Sequence, residues 1–322
     1  MTLYPLLFHP IVKPKVWGSE TWALSGCGED LSVVSNGFLA GNTLSDVLEI
    51  YMDELVGGHV YDAFGNTFPL LFKFIDAKDN LSIQVHPDDR QAAASGMSGK
   101  TEMWYVTAAD EAASVVMGFA RNTSAEEVRA SLQDDTVMGL LQVVPVSKGD
   151  VAYIPAGTVH ALRRGTQVAE IQQTSDVTYR LYDYRRPGLD GRLRPLHVDE
   201  ALAVLDFGKR QEPLVRYDRQ VSDVPVSLVR DPHFSVSLLR LDRQLERDYA
   251  ALDSFVVYMC TEGSFSVHCN GADAGGMSEP GVSCGGDMVV RAGQVLLLPA
   301  VPTDVTLRPL TTAATVLEIS VP

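Results

Sequence analysis

One stretch of twelve residues, 149–160, constrains this chain more than any other. Gly149 opens it after the turn Ser147-Lys148. Val151, Tyr153 and the residues between them read as a short apolar strand. Pro155 and Gly157 break that strand, because proline cannot donate to a ladder and glycine supplies a tight bend. His160 follows two residues past the bend and faces back across the strand just made. A plain hairpin with an ordinary histidine would show the same spacing, so the meaning of His160 depends on its partners upstream.

The rest of the chain is dominated by strand signals. Short apolar runs at 68–74, 81–86, 103–107, 115–119, 151–154 and 168–172 are separated by turns, and the style returns at 234–241, 255–259, 265–268 and 295–298. Regular short strands with turn signals argue for β-barrels or sandwiches. Helices are few. Ser124 and Glu127 form a capping-box pattern ahead of Val128, Leu132, Val137 and Leu141, and 43–48 and 198–205 are weaker helical segments.

A faint internal repeat suggests two β-barrel units. Gly149 and Pro155 have counterparts in Gly293 and Pro299, and 151–156 resembles 295–300 in kind. The second copy has Val301 in place of Gly157 and Asp304 in place of His160. The expected organisation is a metal-binding catalytic domain with small helical segments over 1–208, followed by a β-domain without metal ligands over 209–322.

Composition narrows the partners. The 322 residues carry a formal net charge of −15, which disfavours nucleic acid and anionic membranes. No apolar run is long enough for a membrane span, and the N-terminus lacks the pattern of a signal peptide. The four cysteines, Cys27, Cys260, Cys269 and Cys284, form no CxxC pair, which fits a reduced, cytoplasmic protein with free thiols. A small anionic substrate is compatible with this balance if the site is locally basic.

Strand alternation puts Leu81, Ile83 and Val85 on one face and Ser82, Gln84 and His86 on the other. A polar row turned into a barrel costs several kcal/mol without partners, and a metal ion with a polar substrate would supply them. Glu102 begins the next apolar run, beside Lys100. Gln84, His86, Glu102 and His160 together offer two imidazoles, a carboxylate and an amide oxygen. The set suits zinc with an open position, and two histidines with one glutamate would equally suit iron.

With these residues in view, the 149–160 spacing resembles the second metal-binding motif of the cupin β-barrels. Residues 68–89, 99–105 and 172–184 closely resemble type I phosphomannose isomerases, also called mannose-6-phosphate isomerases, and Trp17-Gly18 with 34–41 resembles their short bacterial form. The resemblance covers about residues 5–207. It implies a mainly β fold of two cupin-like β-barrel (jelly-roll) domains with a few short helices. It implies a cytoplasmic enzyme that interconverts mannose 6-phosphate and fructose 6-phosphate with one Zn2+ per chain, as a monomer or weak homo-oligomer. The metal ligands map onto Gln84, His86, Glu102 and His160, and the active-site arginine onto Arg180. Lys100, Glu170 and Asp176 map onto further catalytic positions, and Ser82 onto a substrate-contacting serine. Trp17 is expected at the pocket rim. Two departures stand out: longer relatives have a histidine where this chain has Gly99 and a proline where it has Thr101.

The implied chemistry moves a proton between C2 and C1 of an open-chain sugar through an enediol. Negative charge grows on the carbonyl oxygen, which a metal or Arg180 can stabilise. Glu170, Lys100 and a metal-bound water are all open as the proton carrier. Arg180, Arg185, Arg186, Lys100 and Lys15 are the cations available to a phosphate. An iron-dependent cupin dioxygenase and a non-catalytic sugar-phosphate-binding cupin are the alternatives. Lys100 and Arg180 disfavour the first; retention of Lys100, Glu170, Asp176 and Arg180 together disfavours the second.

Overall fold

The computed structural model describes residues 3–93, 96–269 and 287–322, so Cys284 lies outside the described residues. The fold is mainly β, as the strand signals require, with a few short helices. Two compact units emerge. One comprises 12–22 and 71–215; the other comprises 1–11, 23–70 and 216–322. The chain passes to the second unit at 215/216. The N-terminal part differs from expectation, because 1–11 and 23–70 belong with the C-terminal strands. The cause is pairing across the length of the chain: Leu6 and Leu7 stand opposite Leu297 and Leu296, and Phe8 and His9 opposite Val34 and Val33. No local pattern announces such a partner.

The 12–22/71–215 unit is built from two sheets. In spatial order the first has strands Val151–Ile154, Glu102–Ala109, Thr166–Gln173, Leu70–Ala77, Gly18–Leu24 and Ile11–Lys15. The second has Leu141–Pro145, Ser114–Phe119, His160–Leu162, Ile83–Val85 and Tyr179–Tyr182. Trp104, Val106 and Val168 from the first sheet and Val115, Met117 and Leu162 from the second share one buried cluster. Inward residues alternate with outward ones, so polar side chains at inward positions line the interior.

The other unit repeats the plan. Its seven-stranded sheet includes Ser235–Leu241, Ala314–Ser320, Val256–Glu262 and Val295–Leu298, and its four-stranded sheet holds Leu245–Asp248, Asp304–Pro309, Ser264–Cys269 and Met288–Arg291. Leu239, Tyr258, Leu296 and Val316 pack with Phe265, Val267 and Leu307 between them.

The expected helical segments appear at Leu44–Val56, Ala125–Gln133 and Val198–Val204. Thr43 caps the first with a complete capping box to Asp46. At Ser124 only half the box forms: its hydroxyl accepts from the Glu127 amide, while the Glu127 carboxylate is taken by Arg121 and Thr123. That helix ends at Gln133, short of Val137 and Leu141. No helix among the described residues is long and apolar enough to cross a membrane.

Candidate active site

The turn that opens the sequence argument does two jobs. Gly157 has φ +83°, a left-handed conformation that glycine adopts without strain. Its N–H donates to the His86 carbonyl at 2.8 Å, and its own carbonyl accepts from Asp206 N–H at 2.8 Å. The bend that delivers His160 is thereby tied to the backbone of His86. His160 then enters its strand directly opposite Gln84, and Arg180 stands on the other side of Gln84. Residues opposite one another in antiparallel strands share a face. His160, Gln84 and Arg180 therefore form one rung. A bulge between Arg180 and Tyr182 buries Leu181 in the core while keeping Arg180 in register with Gln84.

Glu102 reaches the same interior from the opposite sheet, where it pairs with Gln172 and Ile154. Its Oε1 lies 3.2 Å from His160 Nε2 and its Oε2 lies 3.6 Å from His86 Nε2. Gln84 Nε2 is 3.3 Å from His160 Nε2. The donor atoms of His86, Glu102 and His160 all fall within 4.8 Å of one another, and all three residues are buried. This is the one group of its kind among the described residues.

The hydrogen-bond inventory shows what such a cluster lacks. His160 Nδ1 lies 2.8 Å from the Thr158 carbonyl, which can only accept, so Nδ1 carries a proton. In the neutral ring the Nε2 lone pair then points at the Glu102 carboxylate. Both ring nitrogens of His86 and both oxygens of Glu102 are buried without a hydrogen-bond partner. Orphaned polar atoms in a dry interior cost about 1–3 kcal/mol each. Facing lone pairs need a proton or a cation between them. Two imidazoles, a carboxylate and the Gln84 amide, which presents its oxygen after a half-turn, fit a divalent metal of the zinc or iron type. Burial, reinforced by Lys100, His160 and Lys73, holds His86 well below the usual histidine range, so its ring is neutral and able to hold a metal. Burial pushes Glu102 up, but His160, Lys100 and Lys73 outweigh it and hold the carboxyl below its ordinary range.

Lys100 is buried with Nζ 3.8 Å from Glu102 Oε2. Its loop is pinned on both sides: Lys100 N–H donates to the Pro87 carbonyl at 3.0 Å, Gly99 N–H to Asp89 at 2.9 Å and Thr101 N–H to Gln173 at 2.8 Å. A Cβ at Gly99 would sit 2.5 Å from the Asp89 backbone nitrogen. That close approach favours glycine at this position.

Glu170 lies one rung from Gln172 on the same face, and each of its carboxylate oxygens accepts one hydrogen bond. Oε1 accepts from Lys73 Nζ at 2.9 Å and Oε2 from Trp104 Nε1 at 2.7 Å. Lys73 also donates to Gln172 Oε1 at 2.6 Å. Burial pushes Lys73 down, yet Glu170 and Glu20 outweigh it and hold the ammonium above its ordinary range. Sequence reasoning missed Lys73. The available signal was a lone charge in the apolar run Leu70–Ala77, whose every other residue but Asp76 is uncharged.

The remaining expected residues divide. Ser82 is buried at the start of the Gln84–His86 row. Asp176 is exposed in the loop 174–178 between the strands of Glu170 and Arg180. Trp17 is 4% exposed and packs within the hydrophobic cluster. Lys15 pairs with Glu20 at 3.5 Å, and Arg185 is a solvated side chain near Asp135. Arg186 binds Asp183, and so does Arg194, which sequence reasoning did not single out.

Comparison with known proteins agrees with this geometry. The sequence profile of the family described as phosphomannose isomerase type I, catalytic domain, matches residues 9–121. The mannose-6-phosphate isomerase ManA of Bacillus subtilis is 36% identical over 256 residues, covering 73% of this chain and 79% of that protein. A mannose-6-phosphate isomerase of Streptococcus mutans is 35% identical over 285 residues, covering 82% and 87%. The crystal structure of the Bacillus subtilis mannose 6-phosphate isomerase superposes with a TM-score of 0.81 at 28% identity, covering 99% of both chains. Salmonella typhimurium phosphomannose isomerase shares the fold, with a TM-score of 0.74 at 16% identity over 98% of this chain and 99% of that one. With 36% of the aligned residues identical over 73% of its length and 79% of a curated relative, this chain belongs to the type I phosphomannose isomerase family.

Proposed function

We propose that this protein interconverts mannose 6-phosphate and fructose 6-phosphate through an enediol, using one zinc per chain held by Gln84, His86, Glu102 and His160. The observation that carries this reading is the buried convergence of His86, Glu102 and His160, whose ligand atoms lie within 4.8 Å of one another in a chain of this family. When bound, zinc supplies Lewis acidity toward a sugar oxygen.

The chain's own residues supply the rest. Arg180, on the Gln84 rung, offers a guanidinium with its Nε buried and unpartnered, and we assign it to the substrate phosphate. Lys100, held within 3.8 Å of Glu102, is placed to donate to a substrate oxygen or pass a proton. Ser82 supplies a hydroxyl at the edge of the polar row. Asp176 is the acidic residue with solvent access, suited to exchanging a proton with the bulk. Glu170 holds Lys73 and Trp104, one on each oxygen, and each oxygen keeps a second lone pair with which to take a substrate proton. Four cysteines in 322 residues, with no CxxC pair, support a cytoplasmic setting.

The test is a coupled assay of mannose 6-phosphate conversion on protein whose metal content is known. About one zinc per chain is expected, with activity lost to chelator and restored by zinc. Conversion indifferent to chelator, or bound iron with oxygen uptake, would overturn the assignment.

A further inference from the structure

Arg180 is held by a segment that folds back on it. Its Nη1 donates to the Pro195 carbonyl at 2.9 Å, its backbone carbonyl accepts from His197 N–H at 2.8 Å, and its own N–H donates to His197 Nδ1 at 3.2 Å. Pro195 and His197 lie at the end of a segment that leaves the strand at Tyr182. Two adjacent residues near its start, Tyr184 and Arg185, have φ of +54° and +52°, a conformation that side-chain-bearing residues adopt only when the surroundings impose it.

One carboxylate closes this segment. Asp183 is 5% exposed. Its Oδ2 accepts from Arg194 Nε at 2.7 Å and its Oδ1 from Arg194 Nη2 at 2.6 Å, a two-pronged pair. Oδ1 also accepts from Arg186 Nη2 at 3.0 Å, and Arg186 reaches on to Asp79 at 3.3 Å. Arg194 immediately precedes Pro195. The Asp183–Arg194 pair therefore sets the position of the carbonyl that holds the Arg180 guanidinium.

We infer that Asp183 is a positioning residue: its clamp on Arg194 fixes the 183–194 segment so that Pro195 and His197 hold Arg180 in the geometry that receives the substrate phosphate. This rests on the reading of Arg180 as the phosphate ligand. Asp183 itself touches no substrate.

The clamp and a simple charge effect have opposite signs. Removing an anion beside three arginines raises local positive potential, which by itself tightens phosphate binding. Loosening the segment weakens it. Asp183→Asn, nearly isosteric, separates the two. Loss of a charge-assisted pair predicts a KM for mannose 6-phosphate raised about tenfold, with zinc content unchanged and kcat changed less. Arg194→Lys keeps the charge but loses the two-pronged fork, and it too should raise KM; it serves where Asp183→Asn does not fold. In an Arg180→Lys background, Asp183→Asn should add little, because the two act through one guanidinium.

A KM that falls or stays level in Asp183→Asn, or effects that simply add in the double variant, would overturn the clamp. Arg180→Lys alone distinguishes the layers. If it leaves KM unchanged, the reading of Arg180 fails and takes the clamp with it. If it raises KM while Asp183→Asn and Arg194→Lys do not, the clamp alone fails.

Discussion

Trp104 stands opposite Glu170 in the metal-site barrel, and Tyr258 stands opposite Glu318 in the C-terminal barrel. The two rungs are equivalent. Val151 pairs with the residue after Trp104, as Val295 pairs with the residue after Tyr258. In both, an aromatic hydrogen donor and a carboxylate face the interior. Around Glu318 every group is answered: Arg247 grips both oxygens at 2.8 and 2.9 Å, and the Tyr249 hydroxyl donates to one of them. The ligand positions are altered too. Val256 occupies the place of Glu102 beside Leu298, and Asp248 opposite Asp304 occupies the place of Gln84 opposite His160. The two barrels share a scaffold, and what separates them is unanswered hydrogen-bonding capacity. The C-terminal network is closed on itself. The metal-site barrel leaves His86 and Glu102 open for a ligand from outside the chain.

The largest effect should come from closing that opening. Glu102→Gln replaces a carboxylate that His86, His160 and Lys100 all face with a neutral amide. Zinc content and turnover should both fall to background, while the denaturation of the C-terminal barrel stays as in wild type. Elemental analysis with the coupled assay decides it. Full zinc content in the variant would break the contrast between the barrels.

The contrast also shows what a sequence exposes. The metal motif was legible because its parts are local: Gly149, Pro155 and Gly157 have backbone demands that fix where His160 lands, and alternation along 82–86 puts Gln84 and His86 on one face. Strand existence was legible for the same reason, while strand ends shifted both ways: pairing continues past the apolar run at Glu102–Ala109 and stops inside it at Ile83–Val85. What escaped depends on distant partners. Trp17 looks the same in sequence whether it lines a pocket or fills a core. Nothing local shows that Lys73 and Trp104 both donate to Glu170. The Asp183–Arg194 pair spans a segment without periodicity, and the strand Leu6–His9 finds its partner at Leu296 and Leu297.

A smaller but still severe effect is expected at Lys73. Lys73→Met leaves Glu170 as a buried carboxylate without its cation, and breaking a buried pair in this way costs about 3–5 kcal/mol. The sign of its pH dependence follows from the raised lysine. A group held above its ordinary value contributes fully at lower pH and loses that contribution as pH rises through the folded value. The lysine's part of the gap between wild type and variant should therefore be constant from neutrality to about pH 10 and shrink above it, while toward acid the gap also shrinks as protonation relieves the unpaired carboxylate of the variant. Urea denaturation across pH measures this, and a gap already closing near neutrality would refute the pairing.

The smallest effect tests the closed network. Tyr249 has one hydroxyl proton and gives it to Glu318, so the 2.5 Å contact with Tyr258 is a bond that Tyr258 donates. Tyr258→Phe deletes that donor and little else. The Tyr249 oxygen still accepts from Arg247 Nε at 3.3 Å, and Glu318 keeps all its partners. The cost should be near that of one net hydrogen bond, about 1 kcal/mol, seen as a lower urea midpoint with an unchanged slope. Zinc content and kcat/KM should not move. A network that answers all its own groups loses one bond when one donor goes, whereas one that was holding a charge for another purpose would lose far more. A penalty several times larger, or any loss of zinc, would show that the C-terminal rung still carries a task beyond packing.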